Sequence, residues 1–269
     1  MKKTIGFLGA GQMATALALG FLKSSVVEKG NLLASDAVAA SGKRFAAATG
    51  ATICKSNAEL LTQVDILFLS VKPQQMADAL QDIAGSGKSK TLFVTIAAGL
   101  PISFYAEQLG DKAKIVRVMP NTPCLVGKGV CAFAASDAVS QAELATVKTL
   151  LETVGMAEQV PEKLLDAVTG LSGSGPAFVC MIIEAMSDAG VLMGLPRAMA
   201  TSFAAQTLLG TADMVLQTGE HPAVLKDRVT SPAGTTIAGV QALEEHGLRA
   251  AMMAAIEAAT KRSIELRRS

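Results

Sequence analysis

The sequence predicts an α/β fold, a doubly wound parallel sheet over residues 1–160 followed by an all-α domain over residues 161–269. Three observations predict it. Short β-branched or aromatic runs alternate with Ala-rich helical stretches through the first 160 residues, and such alternation implies parallel pairing through right-handed crossovers. The strand signals stop after about Pro161. A glycine-rich turn stands directly between the first strand and the first helix.

Taken in order, the expected strands are Thr4–Leu8, Leu32–Ser35, Ala51–Ile53, Asp65–Val71, Leu92–Ala97, Ile115–Met119, Val130–Ala134 and Ala157–Val160. The helices between them fall at Gln12–Ser24, Ala37–Thr49, Ala58–Leu61, Gln74–Ala84, Ile102–Leu109 and Gln141–Val154. Beyond Pro161 come Glu162–Thr169, Pro176–Met193, Pro196–Gln217, Pro222–Val229, Gly234–Glu245 and Leu248–Arg267. Three of these open with Pro in the first turn, where its missing N–H costs nothing. The helix from Pro176 is apolar round most of its circumference and must be covered on all sides. A domain of about 110 residues has few neighbours to cover it, so a second chain is the expected cover.

Composition narrows the function. Of 269 residues 17% are charged and the formal net charge is +1, which offers nucleic acid or an anionic membrane no bulk attraction. There is no Trp and one Tyr, which also argues against base-stacking platforms. The four cysteines (Cys54, Cys124, Cys131, Cys180) form no CxxC pair and only His221 and His246 are present. No metal site and no disulfide framework is expected, and the cysteines read as small buried thiols of a cytoplasmic protein. Gly6, Gly9 and Gly11 break the N-terminal apolar run, which argues against a signal peptide. Glu184 and Asp188 interrupt the apolar stretch Ala177–Met193 too early for a membrane span.

The turn after the first strand reads Gly9-Ala10-Gly11-Gln12-Met13-Ala14, a G-x-G-x-x-A pattern. The first Gly permits the tight turn, the second lets backbone approach a pyrophosphate, and Ala14 lets the helix lie close on the strand. The N–H groups of the helix start then face the anion. With a strand before it and a helix and second strand after it, the pattern has the context of a Rossmann-like dinucleotide site. The second strand ends at Ser35-Asp36, where the adenosine ribose sits in such folds. An acidic residue there favours NAD, whereas a small hydroxyl with nearby cations favours the 2′-phosphate of NADP. Asp36 argues for the first and Ser35 with Lys43 and Arg44 for the second; the balance tips to NADPH, with NADH the alternative. Val71-Lys72-Pro73 and Ala97-Ala98-Gly99 follow two further strands. Ligands of open α/β sheets bind outside the carboxyl ends of strands, which places both segments beside the cofactor.

The chain as a whole resembles pyrroline-5-carboxylate reductase. The resemblance is carried by Gly6 to Met13, Ser70-Val71-Lys72-Pro73, Ala97-Ala98-Gly99 and Met119-Pro120-Asn121-Thr122-Pro123. In the second half it is carried by Thr169 to Ala177, His221-Pro222, Ser231-Pro232-Ala233-Gly234-Thr235-Thr236-Ile237 and Ala242-Leu243-Glu244. In this order and spacing the motifs are specific, and they run from residue 1 to about 269. Ala233 stands where the family often has Gly. The resemblance implies NAD(P)H-dependent reduction of 1-pyrroline-5-carboxylate to L-proline, a Rossmann-like domain, and a helical dimerisation domain. It implies at least a homodimer, with larger rings of dimers in some members. The expected cofactor contacts are Gly9, Gly11, Gln12, Met13, Ser35, Arg44, Asn57, Val71, Lys72, Pro73, Ala97, Ala98 and Gly99. The expected substrate contacts are Ser231, Gly234, Thr235 and Thr236, with Thr236, matched to a family Thr that contacts the ring nitrogen, as the catalytic residue.

The residues themselves agree with that chemistry. Ser231–Thr236 is a Pro- and Gly-containing turn opening a helix, and N–H groups at a helix start bind carboxylates without a cation. An ordinary Ser N-cap reads the same way from sequence alone. A cyclic imine can arrive protonated, so hydride transfer needs positioning more than acid catalysis, which fits the lack of an evident catalytic His, Lys or carboxylate. A β-hydroxyacid dehydrogenase shares the expected architecture, but its catalytic Lys is missing from Pro176–Ile183 after the turn Gly170–Gly175. A nucleotide-sensing protein without turnover is the other alternative. His221 and His246 read as a helix start and a surface residue.

Overall fold

The computed structural model describes residues 2–83 and 90–268. All eight expected strands are present: β1 (Ile5–Leu8), β2 (Leu32–Ser35), β3 (Thr52–Ile53), β4 (Ile66–Leu69), β5 (Leu92–Thr95), β6 (Lys114–Met119), β7 (Gly129–Ala135) and β8 (Gly155–Gln159). They form one sheet in the order β3-β2-β1-β4-β5-β6-β7-β8. Between them run α1 (Gln12–Lys23), α2 (Ala39–Thr49), α3 (Asn57–Gln63), α4 (Met76–Gln81), α5 (Ile102–Leu109) and α6 (Gln141–Glu152). The helix expected from Gln74 opens with a 3-10 turn, Pro73–Gln75, and its expected end at Ala84 lies outside the described residues.

One pairing departs from the all-parallel expectation. β7 runs antiparallel to β6, while every other neighbouring pair is parallel. The reason is the connection: β6 and β7 are joined through a 3-10 turn, Thr122–Val126, not a crossover helix. A parallel return needs a dozen or more residues, and a short turn only brings the chain straight back.

The sheet is buried on both faces, as a parallel sheet covered by helices must be. Alternate residues of β4 enter opposite layers, Ile66 and Phe68 into one and Leu67 and Leu69 into the other. The first layer is built round Phe7, Phe21, Phe45 and Phe68, with ring centroids 5.1–6.1 Å apart. Burying each ring contributes about 1.5–3 kcal/mol, and together they clamp β1, α1, α2 and β4 about the glycine turn.

The remaining helices are α7 (Leu165–Val168), α8 (Gly175–Leu192), α9 (Arg197–Thr218), α10 (Pro222–Arg228), α11 (Thr235–Glu245) and α12 (Leu248–Arg268). In place of a single helix over Glu162–Thr169, the chain forms a 3-10 turn (Glu162–Leu164), the single turn of α7 and a π turn (Thr169–Gly173). By contacts the chain divides into Met1–Gly173 with Ala258–Ser269, and Ser174–Glu257. The end of α12 belongs to the first unit because Asp166, 3% exposed, accepts from the Ser263 hydroxyl at 2.8 Å and pairs with Arg267 at 3.0 Å.

In the second unit α8 packs on α9, and Arg197 bonds Ser187 and Asp188 at the turn between them. Much of both helices stays uncovered in a single chain: Met181, Leu192, Phe203 and Leu216 are each more than half exposed. Cys180 is exposed on α8 too, in contrast to the buried thiol expected; Cys54, Cys124 and Cys131 are buried. Among the described residues one helical run, Glu162–Leu192, is long and apolar enough to cross a membrane by length and composition. Glu184 and Asp188 therefore do not exclude a span by that measure. The run is not one straight helix, since 3-10, α and π segments succeed each other before α8 begins.

Candidate active site

The glycine turn is shaped by what flanks it. Gly9 has φ +96°, and a Cβ there would lie 2.8 Å from the backbone of Ser70 and Val71, so only Gly fits. Its N–H donates to the Ser35 carbonyl at 2.8 Å, tying the turn to the end of β2. The next N–H, of Ala10, donates to Asp36 Oδ2 at 2.7 Å, and Asp36 Oδ1 accepts from Val38 N–H at 2.8 Å. Asp36 thus spans the glycine turn and the approach to α2, a structural task that the sequence did not reveal.

Gly11 is different. It is the N-cap of α1 with no side-chain cap, and a Cβ there would meet nothing within 4 Å. Protein packing does not require Gly at this position; open space is kept in front of a helix start whose first N–H groups lack partners. A 490 Å³ cavity lies beside it, walled by Gly9, Gly11, Ser35, Asn57, Val71 and Lys72 among others. The hydroxyl of Ser70, also on its wall, is buried without a hydrogen-bond partner. A bare helix start, an orphaned hydroxyl and the nearby Lys72 fit a bound dinucleotide whose pyrophosphate is an acceptor-only anion.

Six of the expected cofactor residues therefore share one cavity. The others stand outside its wall: Gln12 and Met13 open α1, Pro73 opens the turn before α4, and Ala97, Ala98 and Gly99 follow β5. Ala97 is packed in the second core layer near Tyr105, whose hydroxyl shares a 2.5 Å hydrogen bond with Thr95. Arg44 sits on α2 with its guanidinium on the Ser41 hydroxyl at 3.0 Å, and Ser41 lines the cavity. Sequence reasoning missed Asp82, which also lines it and accepts from Asn57 Nδ2 at 2.9 Å. No motif signals it, because it lies 25 residues from its partner at the end of α4.

The Met119–Pro123 motif has a local explanation. Asn121 donates to the Ser172 carbonyl at 3.0 Å and accepts from Val130 N–H at 2.9 Å. One buried amide thereby holds the start of β7 and the Thr169–Gly173 turn together. Arg117, 4% exposed, pairs with Glu162 at 3.0 Å, and the same carboxylate oxygen accepts from Ile102 N–H at 2.8 Å.

In the second unit, Ser231 to Thr236 forms a turn leading into α11. Gly234 is the N-cap with no side-chain cap bond, its N–H donating to the Ser231 carbonyl at 3.1 Å. The first N–H groups of α11 are thus free of side-chain competition, and Thr236 is half-buried while Ser231 and Thr235 are exposed. Ala233 has φ +55°, a left-handed conformation that favours glycine. His221 caps α10, its Nδ1 accepting from Ala223 N–H at 3.2 Å, and His246 closes α11 at the surface. Among the described residues no group of three or more His, Cys, Asp or Glu could hold a metal ion.

Residues 162–266 match the family described as pyrroline-5-carboxylate reductase dimerisation, and residues 4–99 match that described as NADP oxidoreductase coenzyme F420-dependent. The pyrroline-5-carboxylate reductase of Methanosarcina acetivorans is 46% identical over 262 residues, which is 97% of each chain. The chain belongs to the pyrroline-5-carboxylate reductase family. The Escherichia coli pyrroline-5-carboxylate reductase is 42% identical over the full length of both chains. Among solved structures, the Plasmodium falciparum pyrroline carboxylate reductase with NADP bound superposes with a TM-score of 0.90 at 34% identity, covering 99% of this chain and 98% of that one. The pyrroline-5-carboxylate reductase of Coxiella burnetii gives 0.91 at 30% identity, covering 99% of each. These relatives share the fold along its whole length, so both the glycine-turn unit and the helical unit belong to the pyrroline-5-carboxylate reductase pattern.

Proposed function

We propose that this protein reduces 1-pyrroline-5-carboxylate to L-proline, the last step of proline biosynthesis, with NADPH as coenzyme and NADH as the alternative. The observation that carries the reading is the open, donor-rich cavity at Gly11 and Ser70, in a chain that matches such reductases from end to end. When bound, the nicotinamide supplies the hydride. Gly11, Gln12 and Met13 serve the pyrophosphate through backbone N–H groups, while Gly9, its own N–H on the Ser35 carbonyl, lets the turn approach the coenzyme. Ser35, Arg44 and Asn57 serve the adenosine end, and Val71, Lys72, Pro73, Ala97, Ala98 and Gly99 complete the coenzyme contacts.

Residues 161–269 act as the dimerisation and substrate domain beside the dinucleotide domain 1–160. The turn Ser231-Gly234-Thr235 offers hydroxyl and N–H donors to the substrate carboxylate. Thr236 acts as the catalytic residue: its hydroxyl oxygen accepts from the iminium N–H and so orients the imine carbon. The C=N carbon gains the hydride, the nitrogen keeps its proton and takes the electron pair, and no general acid is required. The working form is at least a homodimer, and a ring of dimers extends it. A second copy, rather than a membrane, covers the apolar faces of α8 and α9, because the dimerisation family spans them. Four cysteines without a CxxC pair fit a cytoplasmic protein.

The test mixes the purified protein with NADPH or NADH and 1-pyrroline-5-carboxylate and follows absorbance loss with proline formation. Proline formed in step with coenzyme consumption is expected. Coenzyme binding without consumption would favour a nucleotide sensor and refute the reading.

A further inference from the structure

A hydrogen-bond relay that the hydride chemistry does not need stands at the adenosine end of the coenzyme cavity. The Ser35 hydroxyl, 3% exposed, donates to Asn57 Oδ1 at 2.5 Å, and Asn57 Nδ2 donates to Asp82 Oδ2 at 2.9 Å. Ser35, Asn57 and Asp82, together with Asp36, also wall a second cavity of 360 Å³. The three elements involved are distant in sequence, and the relay joins the end of β2, the start of α3 and the end of α4.

The direction of the relay matters. Ser35 has one hydroxyl proton, and Asn57 takes it; Asn57 has two amide protons, and Asp82 takes one. Ser35 is left with lone pairs, which accept. A ribose 2′-OH can donate to such an oxygen, whereas a 2′-phosphate brings acceptors and about two negative charges. The charged groups on the second cavity's wall are Asp36, Asp82 and Lys55. Asp36 is held in place by two backbone N–H groups, so its carboxylate stays on this wall. Arg44 is withdrawn one hydrogen bond from the first cavity, on Ser41. Asp82 is therefore a carboxylate on the nucleotide cavity that both orders the neutral donors and repels a phosphate.

We infer that Asp82 is a coenzyme-specificity residue: it disfavours 2′-phosphorylated coenzymes against unphosphorylated ones, opposing the pull of Arg44. This rests on the coenzyme reading of the cavity. It also gives a physical reason for one chain to accept both NADPH and NADH, since cation and carboxylate act on the same 2′ position with opposite sign.

The experiment is calorimetric titration of NADP⁺ and NAD⁺ into the full-length protein, wild type, Asp82→Asn and Asp82→Lys. In Asp82→Asn the introduced amide oxygen can still accept from Asn57 Nδ2, so this variant removes charge and keeps the bond. The ratio Kd(NAD⁺)/Kd(NADP⁺) should rise on the order of three- to tenfold in Asp82→Asn and further in Asp82→Lys. A general loss of folding would weaken both coenzymes together and leave that ratio where it was. A ratio within twofold of wild type in both variants, while the wild type binds coenzyme and forms proline, overturns the role of Asp82 alone. No binding of either coenzyme to the wild type overturns the coenzyme reading and this inference with it.

Discussion

β1, β2, β4 and β5 are buried along their whole length within a single chain, whereas α8 buries one of its 18 residues and α11 none of its 11. Both regions are apolar in sequence, so composition does not separate them. What separates them is the supply of neighbours. Each face of the sheet finds helices from the same unit, and the Phe7–Phe21–Phe45–Phe68 cluster closes over it. The second unit has helices only, and Met181, Leu192, Phe203, Leu216 and Met253 remain more than half exposed. A soluble monomer rarely leaves so much large apolar surface open. The first unit covers its own core; the second, which matches the dimerisation family, leaves apolar faces that its own helices do not cover.

Substitutions in the two regions should therefore fail in different ways. The largest effect is expected from Phe7→Ala, which empties the centre of the aromatic cluster. It should cost about 3–5 kcal/mol and abolish coenzyme binding, seen in chemical denaturation and in NADPH fluorescence. A loss below about 1 kcal/mol would show that the cluster does not hold the glycine turn.

Next in size is Thr236→Ala, in the second unit. If Thr236 holds the iminium as proposed, this removes one hydrogen bond to a charged group, about 1.5–3 kcal/mol, so kcat should fall about tenfold or more while coenzyme affinity holds. A plain helix-start residue would instead lower Tm and leave turnover intact, which would end this assignment.

A smaller effect comes from Glu143 at the start of α6. Burial acts to raise its pKa, but hydrogen bonds from Lys114 and from the Ser140 hydroxyl and N–H outweigh it and hold the carboxyl at about 2. The folded value lies below the unfolded one, so the stabilisation is present above about pH 4.5 and is lost as pH falls toward 2. Glu143→Gln should cost on the order of 1–2 kcal/mol near pH 7 after solvent screening. Urea midpoints of the two proteins should converge on acidification; a gap that does not change with pH would contradict the ion-pair account.

The smallest expected change is a gain. Ala233→Gly relieves a left-handed residue at φ +55° and should stabilise the turn before α11 by up to about 1 kcal/mol. A lower Tm in thermal melts would show that the turn, unlike the sheet, depends on contacts beyond its own backbone.

Much of this is legible in the sequence where local pattern decides. β2 and α5 begin and end where expected, because a short apolar run ending at Ser35 and a Pro-started helix leave little choice. The glycine turn is legible because its residues answer to each other over six positions. The reversal at β7 is not, since the hydrophobic pattern of a buried strand is the same in either direction. The Asp36 and Asp82 contacts are not, because each joins residues 25 or 26 apart through side chains. Ala233 reads as a harmless small residue until its φ is known.

Sedimentation of wild type and Phe203→Asp at micromolar concentration, paired with NADPH titration and proline formation, tests the contrast between the two units most directly. Phe203 is 57% exposed on α9. Wild type should sediment at a multiple of 27.6 kDa and form proline; the variant should lose both the assembly and the turnover while its first unit still binds NADPH. A folded 27.6 kDa monomer that forms proline at the wild-type rate would contradict the account.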